Sequence, residues 1–417
     1  METIYKNKKL IAMFLVAATI FARCDLGLAL GKQYVLANLA AAALSAVFCL
    51  ILMIKDKATA KEALFNPAII WVVAFSILVF IYGHFKLGVC SDMYSRQYHI
   101  LTVVPAVFIM IMLYYNMDDV LDIISVAACA VIPLTLVTSL LFDPVWLQLF
   151  DGNAYRVGAT PAGTCVDTGN LMLIMLIPLM YQIIINRKFK AYLWAALLAV
   201  AQIVASGSKS SVLPIVLVIA ILLLGSAKDK KTLRRSIIIL LILGVAGVAA
   251  IMLVPALYSI IGERIVEMFT GIGSTDYDLH TSTGQRMAVI AAVKEHFVEH
   301  PLFGHGFYAF KEMPYSLLEE YRPNDGVEIA YRHIHTHMNF LELLFSFGIF
   351  GFVMYYWFPV YLAIKSFFTK NKMAKLLVLS FLVSFVFMDL GIDMFYKYMT
   401  PYYTYLVAYV FLKKKEN

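Results

Sequence analysis

The sequence predicts an all-α polytopic membrane protein, and two observations carry that prediction. First, 62% of the 417 residues are hydrophobic and only 15% are charged, which is not the composition of a soluble globular domain. Second, apolar runs of roughly 20 residues, long enough to cross a bilayer, recur along the whole chain. We therefore expect about twelve transmembrane helices, near residues 9–28, 34–54, 68–85, 99–115, 119–141, 168–186, 191–206, 209–226, 236–261, 338–364, 373–391 and 397–412.

The basic residues predict the orientation, because cytoplasmic connectors carry an excess of Lys and Arg. Of the 34 basic residues, 21 lie in the two tails and in one alternate set of connectors. This pattern places both termini in the cytoplasm. It also explains the net charge of +7, which therefore does not indicate a nucleic-acid partner. The first run lacks a signal-peptide cleavage site and is expected to be retained. We expect residues 1–417 to form a single membrane domain.

One long polar interval interrupts the apolar pattern. Residues 263–337 hold seven of the nine histidines and are predicted to form an extracytoplasmic loop that contains short helices. Histidine is the side chain best suited to move protons near neutral pH. His337 stands directly before the apolar run that starts at Met338. The sequence therefore predicts that catalysis takes place in this loop, next to the membrane.

Three further segments of the predicted outer surface carry cations beside turn or helix-start residues. In the long loop, Ser282 or Thr283 can cap a helix with Arg286 in its first turn. An arginine at a helix N-terminus favours a diphosphate. Arg156 lies among glycines and a proline, and Lys209 belongs to the short polar turn Ser206-Gly-Ser-Lys209-Ser. Such a turn offers backbone N–H groups and a cation to an anion.

Two patterns in the loop suggest a metal instead. The series His333-Ile-His335-Thr-His337 has the alternation of a strand-borne metal site. His296-Phe-Val-Glu299-His300 matches the H-x-x-E-H pattern of some zinc proteases. However, Pro301 follows that match at once, no third ligand is marked, and the five cysteines are scattered without a CxxC. We therefore predict no metal site and interpret the protease-like spacing as accidental.

The order of the motifs resembles the O-antigen ligase and O-antigen or capsular polysaccharide polymerase superfamily. The resemblance covers roughly residues 150 to 355. In chain order, it rests on Arg156-Val-Gly158, Ser206-Gly-Ser-Lys209-Ser, Arg286, His300-Pro301-Leu-Phe-Gly304-His-Gly306, His335-Thr-His337-Met-Asn339 and Gly348-Ile-Phe-Gly351. This chain departs from the pattern in two places. Met338 separates His337 from Asn339, and Lys209 stands where the family usually has arginine.

The resemblance implies a metal-independent membrane glycosyltransferase that needs no cofactor. Such an enzyme moves a glycan from undecaprenyl diphosphate to an acceptor sugar, at the outer face of the bacterial cytoplasmic (inner) membrane. His337 is the implied general base, since the ordinary pKa of histidine is about 6.5, and Arg286 is its catalytic partner. The implied diphosphate-binding residues are Arg156, Arg264 and Lys209, and the supporting residues are His335, Asn339, Gly304 and Gly306.

The implied partners are the lipid-linked glycan, the acceptor glycan and the bilayer, together with a chain-length regulator and a flippase. A polymerase that joins lipid-linked repeat units is the preferred function, because polymerases are the more numerous and diverse group. An O-antigen ligase that transfers glycan to lipid A core is the alternative within the same chemistry. A transporter or flippase is the alternative of another class, although the mid-span segments lack the buried ionisable pairs of coupled transport. A metal sensor or uptake protein is a third alternative.

Overall fold

The computed structural model describes residues 1–26, 32–85, 87–88, 92–148, 156–263, 265–266, 282–312 and 336–413. These residues form helices and no strand, which confirms the predicted all-α class. Thirteen of the described helices are longer than ten residues. In chain order they are α1 Lys8–Phe21, α2 Lys32–Lys55, α3 Pro67–His84, α4 Val104–Tyr114, α5 Val120–Phe142, α6 Cys165–Ile184, α7 Phe189–Ser206, α8 Lys209–Ser226, α9 Lys230–Leu253, α10 Ser282–His296, α11 Asn339–Phe368, α12 Lys372–Asp389 and α13 Thr400–Lys413.

Nine helices of the described chain are long and apolar enough to cross a membrane. They are Leu36–Lys55 (which ends with α2), α3, Ser95–Tyr114 (which ends with α4), Met117–Phe142 (which ends with α5), α6 to α9, and α11. The other three predicted segments are also helical, at α1, α12 and α13. However, α1 and α13 have 14 residues each, and α12 carries Lys372, Lys375 and Asp389. The protein is thus a polytopic membrane protein, while the count of about twelve spans stays a prediction.

The most buried helices are α6 and α13. Every residue of α6 from Asp167 to Leu179 is buried, as is every residue of α13 from Thr400 to Val410. At the other extreme, Ser236 is the one residue of α9 that is buried within the described structure. Exposing an apolar helix surface to a bilayer costs little free energy, because lipid tails are as apolar as leucine. The helices α6 and α13 therefore form the centre of the bundle, and α9 lies at its periphery.

The long polar loop is attached to the bundle at a break in α11. Gly348 interrupts this helix with φ 63° and ψ −164°, and a break inside a bundle leaves backbone groups that need new partners. Segment 301–306 supplies these partners. Four backbone hydrogen bonds join the two segments: His305 N to Phe345 O (2.8 Å), Gly306 N to Ser346 O (3.1 Å), Ile349 N to Pro301 O (2.9 Å) and Phe350 N to Leu302 O (3.1 Å).

Replacing Gly304 by alanine is expected to release this attachment and destabilise the protein. Gly304 has φ +71°, and a Cβ there would lie 2.5 Å from Phe347 N. Because both the backbone conformation and the space exclude a side chain, we expect a loss of more than about 1 kcal/mol. The thermal midpoint of the purified protein in detergent measures it. The control is Gly247→Ala on α9, where a Cβ would meet nothing within 4 Å. Equal midpoints for the two variants would contradict this role of Gly304.

Candidate active site

A cavity of about 630 Å³ lies where several helices end or begin. It brings together Arg156, Lys209, Arg286 and His337, four residues that the sequence singled out from distant positions. The start of α6, the turn between α7 and α8, helix α10, the residues before α11 and the end of α12 form its wall. The other lining residues are Thr164, Cys165, Val166, Asp167, Gly207, Ser208, Ser210, Leu213, Gln285, Val289, Thr336, Phe387, Leu390, Gly391 and Ile392.

The start of α6 is held by a capping box. Asp167 Oδ2 accepts hydrogen bonds from Thr164 N (2.7 Å) and from Thr164 Oγ1 (3.1 Å). A capping box satisfies N–H groups that a helix start otherwise leaves without partners. Asp167 is 7% exposed and lines the cavity. It thus places one carboxylate beside three cations.

Arg156 is packed against the turn between α7 and α8. Gly207 ends α7 in the left-handed conformation, with φ 57°. The guanidinium Nε of Arg156 donates to the carbonyl of Ser206 at 2.9 Å. A Cβ on Gly207 would lie 3.3 Å from Arg156 Cγ. The turn therefore needs glycine for its conformation and for the close approach of Arg156.

A buried serine–asparagine network holds the start of α8. Asn170 Oδ1, on α6, accepts hydrogen bonds from Ser210 Oγ (2.9 Å) and Ser211 Oγ (2.6 Å). The hydroxyl of Ser208 lies 3.0 Å from that of Ser210. These bonds connect α8 to the central helix α6. They therefore hold Lys209, the first residue of α8, at the cavity.

Helix α10 carries Arg286 to the cavity. Its apolar side packs on the bundle, with Val289 and Val293 in one cluster with Phe310 and Phe345. Arg286 is the fifth residue of α10, and its Nη2 donates to the carbonyl of Gly391 at 3.5 Å. This contact directs the guanidinium toward the segment that follows α12.

His337 has an unusual backbone conformation. Its φ is +53°, whereas residues other than glycine rarely have positive φ. The neighbouring residues are well bonded: Thr336 Oγ1 donates to the carbonyl of Met338 at 3.1 Å. Strained residues of this kind cluster at functional sites, where the surrounding structure enforces them. The conformation therefore supports a functional role for His337.

The electrostatics of the cavity favour an anion. Among the described residues, the lining carries three cations and one carboxylate. In addition, α6 and α8 begin at lining residues of the cavity, Cys165 and Lys209. A helix N-terminus carries a partial positive charge and N–H groups without helical partners. Cations and helix starts together are a familiar arrangement for binding phosphate groups.

Other predicted site residues lie away from this cavity. Gly304 and Gly306 belong to the segment that is bonded to α11. Asn339 Nδ2 donates to the hydroxyl of Tyr356 at 3.0 Å, and its Oδ1 accepts from Phe395 N at 2.8 Å. These three residues do not line the cavity, and their contacts anchor neighbouring segments. Arg264 and His335 lie outside the described residues.

The remaining described histidines of the loop make local contacts. His296 Nδ1 is hydrogen-bonded to Glu299 Oε1 at 2.9 Å, and this bond lowers the pKa of Glu299. His305 Nε2 donates to the carbonyl of His296 at 2.9 Å, and burial lowers the pKa of His305. Within the described parts of the chain, no three His, Cys, Asp or Glu residues are grouped to hold a metal ion. His333 lies outside these parts.

Sequence reasoning missed four polar residues of the lining. They are Thr164, Asp167, Gln285 and Thr336. A signal existed for two of them, since Thr164-x-x-Asp167 before an apolar run has the spacing of a capping box. Gln285 and Thr336 merely neighbour Arg286 and His337 in the chain, and nothing in their residue type marks them.

Fold and site together define a polytopic membrane protein with a cavity whose wall carries three cations and a histidine. A family model described as O-antigen ligase matches residues 194–356, a range that includes Lys209, Arg286 and His337. The match confirms the family resemblance and supports membership of the chain in the O-antigen ligase family. A comparison with curated proteins finds no match. The family match supports a membrane enzyme of O-antigen or polysaccharide assembly that transfers glycosyl groups.

Proposed function

We propose that this protein is a polysaccharide polymerase that joins undecaprenyl-diphosphate-linked repeat units at the outer face of the cytoplasmic membrane. The observation that carries the proposal is the cavity in which Arg156, Lys209, Arg286 and His337 meet. Three cations suit a diphosphate, and a histidine suits the removal of a proton. Their presence around one cavity is what a transfer from a lipid diphosphate to a sugar hydroxyl requires.

The diphosphate is the leaving group of this reaction. Its bond to the anomeric carbon breaks, and the electron pair stays on the departing phosphate oxygen. Positive charge that is fixed in advance stabilises this developing charge, and such stabilisation often contributes more to catalysis than any other effect. Lys209, the first residue of α8, supplies this charge together with the N-terminus of its helix, and Arg286 adds the charge of its guanidinium.

His337 takes the proton of the acceptor. The hydroxyl oxygen of the acceptor sugar forms the new bond to the anomeric carbon, and its proton passes to a ring nitrogen of His337. Help from a general base of this kind is typically worth about 10²–10⁴-fold in rate. The apolar lining residues, such as Leu213 and Phe387, restrict water in the cavity and so favour transfer over hydrolysis.

Helix α5 supports the placement of this reaction at the outer face. Beside its first turn, Asp119 pairs with Lys9 (2.6 Å) and Asp122 pairs with Lys188 (2.8 Å). Just after its last residue, Asp143 Oδ2 accepts from Gly158 N at 2.9 Å, two residues from Arg156. The lysine-rich segments and the cavity therefore lie at opposite ends of the bundle. Because lysine-rich connectors favour the cytoplasm, the cavity end is assigned to the outer face.

The second candidate is a ligase that transfers a finished glycan to lipid A core, and the description of the matched family favours it. Deletion of the gene distinguishes the two functions. Loss of a polymerase leaves products with a single repeat unit, as gel analysis of the surface glycan would show. Accumulation of long chains on the carrier lipid in the deletion strain would overturn the polymerase and support the ligase.

A further inference from the structure

We infer that Glu342 is a positioning residue for His337, an inference that rests on the function proposed above. Glu342 lies in the first turn of α11 and is 0% exposed. A buried carboxylate is costly unless hydrogen bonds satisfy it. Its contacts therefore indicate why the helix carries a carboxylate at this position.

The first contact reaches the residue before His337. Glu342 Oε2 accepts a hydrogen bond from the backbone N–H of Thr336 at 3.2 Å. On the other side of His337, the carbonyl of Met338 accepts from Glu342 N at 2.9 Å. Side chain and backbone of one residue thus hold both neighbours of His337. The left-handed conformation of His337, with φ +53°, is fixed between these two contacts.

The second contact ties Glu342 to the loop. Glu342 Oε1 accepts from the hydroxyl of Ser346 at 2.8 Å, and Ser346 Oγ accepts from Tyr308 N at 3.0 Å. Tyr308 also has a positive φ, of 64°. A continuous chain of hydrogen bonds therefore runs from the loop segment at Tyr308 through Glu342 to Thr336. It links the position of His337 to the docking of the loop on α11.

The chemistry of the two donors explains why glutamate is needed. Both Thr336 N–H and the Ser346 hydroxyl donate, so the residue between them must accept twice. A carboxylate accepts at both oxygens, whereas the amide of glutamine offers one acceptor and one donor group. Glutamine at position 342 would keep the shape and offer an oxygen acceptor to only one of these two donors, which weakens the chain of hydrogen bonds from Tyr308 to Thr336.

The test is Glu342→Gln in purified protein, with Ser366→Ala as the control. Ser366 is a buried residue of the same helix whose hydroxyl donates to the carbonyl of Ala363 (2.7 Å), far along the helix from residues 336–338. For Glu342→Gln we expect turnover to fall roughly 10–100-fold, since small displacements of a catalytic group cost about this much. The KM for the lipid-linked glycan should stay unchanged, because the cations of the cavity are untouched. The control should keep wild-type turnover.

A double-mutant cycle separates positioning from a general loss of structure. If Glu342 acts through His337, Glu342→Gln should reduce the residual turnover of His337→Asn protein no further. An equal fold-loss in both backgrounds, or a rise in KM, would overturn the inference.

Should Glu342→Gln not fold, Ser346→Ala removes one of the two bonds to the carboxylate. We expect a smaller loss of turnover at constant KM for Ser346→Ala, and full turnover would overturn the inference. An inactive wild type, in contrast, would refute the proposed function itself.

Discussion

Replacing His337 by asparagine is expected to lower glycosyl transfer by about 10²–10⁴-fold, because the acceptor hydroxyl loses its general base. Asparagine is the sharpest substitution here. It is among the residues that best tolerate the positive φ of this position, yet it cannot take up a proton near neutral pH. The amount of folded protein in the membrane should therefore stay close to that of the wild type. Polymer formation in a complemented deletion strain measures the effect.

The matched control is His300→Ala. His300 is exposed and belongs to the same loop, and its ring contacts that of His305 at 4.8 Å between centroids. This variant should make polymer at the wild-type level. Normal polymer from His337→Asn protein at normal abundance would contradict the role of His337 and reopen the transporter alternative. Loss of polymer in both variants would indicate that the loop histidines matter for structure and not for proton transfer.

Replacing Arg286 by alanine is expected to lower turnover by about 10²–10³-fold, the usual cost of removing one group that stabilises developing negative charge. The guanidinium lies at the cavity, about one turn after the start of α10. Arg286→Lys should recover part of the activity, since lysine keeps the charge and loses the two-pronged geometry. Turnover of purified variants on a lipid-linked glycan is the measurement.

Lys294→Ala is the control for this charge. Lys294 is exposed and lies two turns along the same helix, outside the cavity lining. Its removal should leave turnover and KM unchanged. If Arg286→Lys loses as much activity as Arg286→Ala, the planar geometry of the guanidinium matters more than its charge. Full activity in Arg286→Ala would exclude this residue from diphosphate binding.

Much of the architecture and part of the site could be predicted from the sequence. Apolar runs predict helices because a membrane span must form all its backbone hydrogen bonds within itself and present apolar surface to lipid. The start of α10 was visible because Ser282 and Thr283 are cap residues ahead of an apolar pattern. Arg156, Lys209, Arg286 and His337 were visible because each stands at a turn or helix boundary. That they meet in one cavity is a property of the packed structure.

Other features depend on contacts between distant segments, and the local sequence gives no signal for them. The role of Glu342 requires knowing that its carboxylate reaches back to Thr336 and across to Ser346. The resemblance implied Gly304 as a supporting residue of the site, whereas in the structure its segment bonds the backbone of α11 at the break of Gly348. Asn339 was expected to support His337 and instead bonds Phe395 and Tyr356. Sequence position alone did not show which way its side chain points.

The most direct test of the central claim is transfer by the purified protein in proteoliposomes that contain an undecaprenyl-diphosphate-linked repeat unit. We expect wild-type protein to lengthen the glycan and to release one undecaprenyl diphosphate for each new glycosidic bond. His337→Asn and Arg286→Ala proteins should release almost none under the same conditions, while His300→Ala protein should match the wild type. Equal release by wild-type and His337→Asn proteins, or none by the wild type, would contradict the assignment of this cavity as the site of glycosyl transfer.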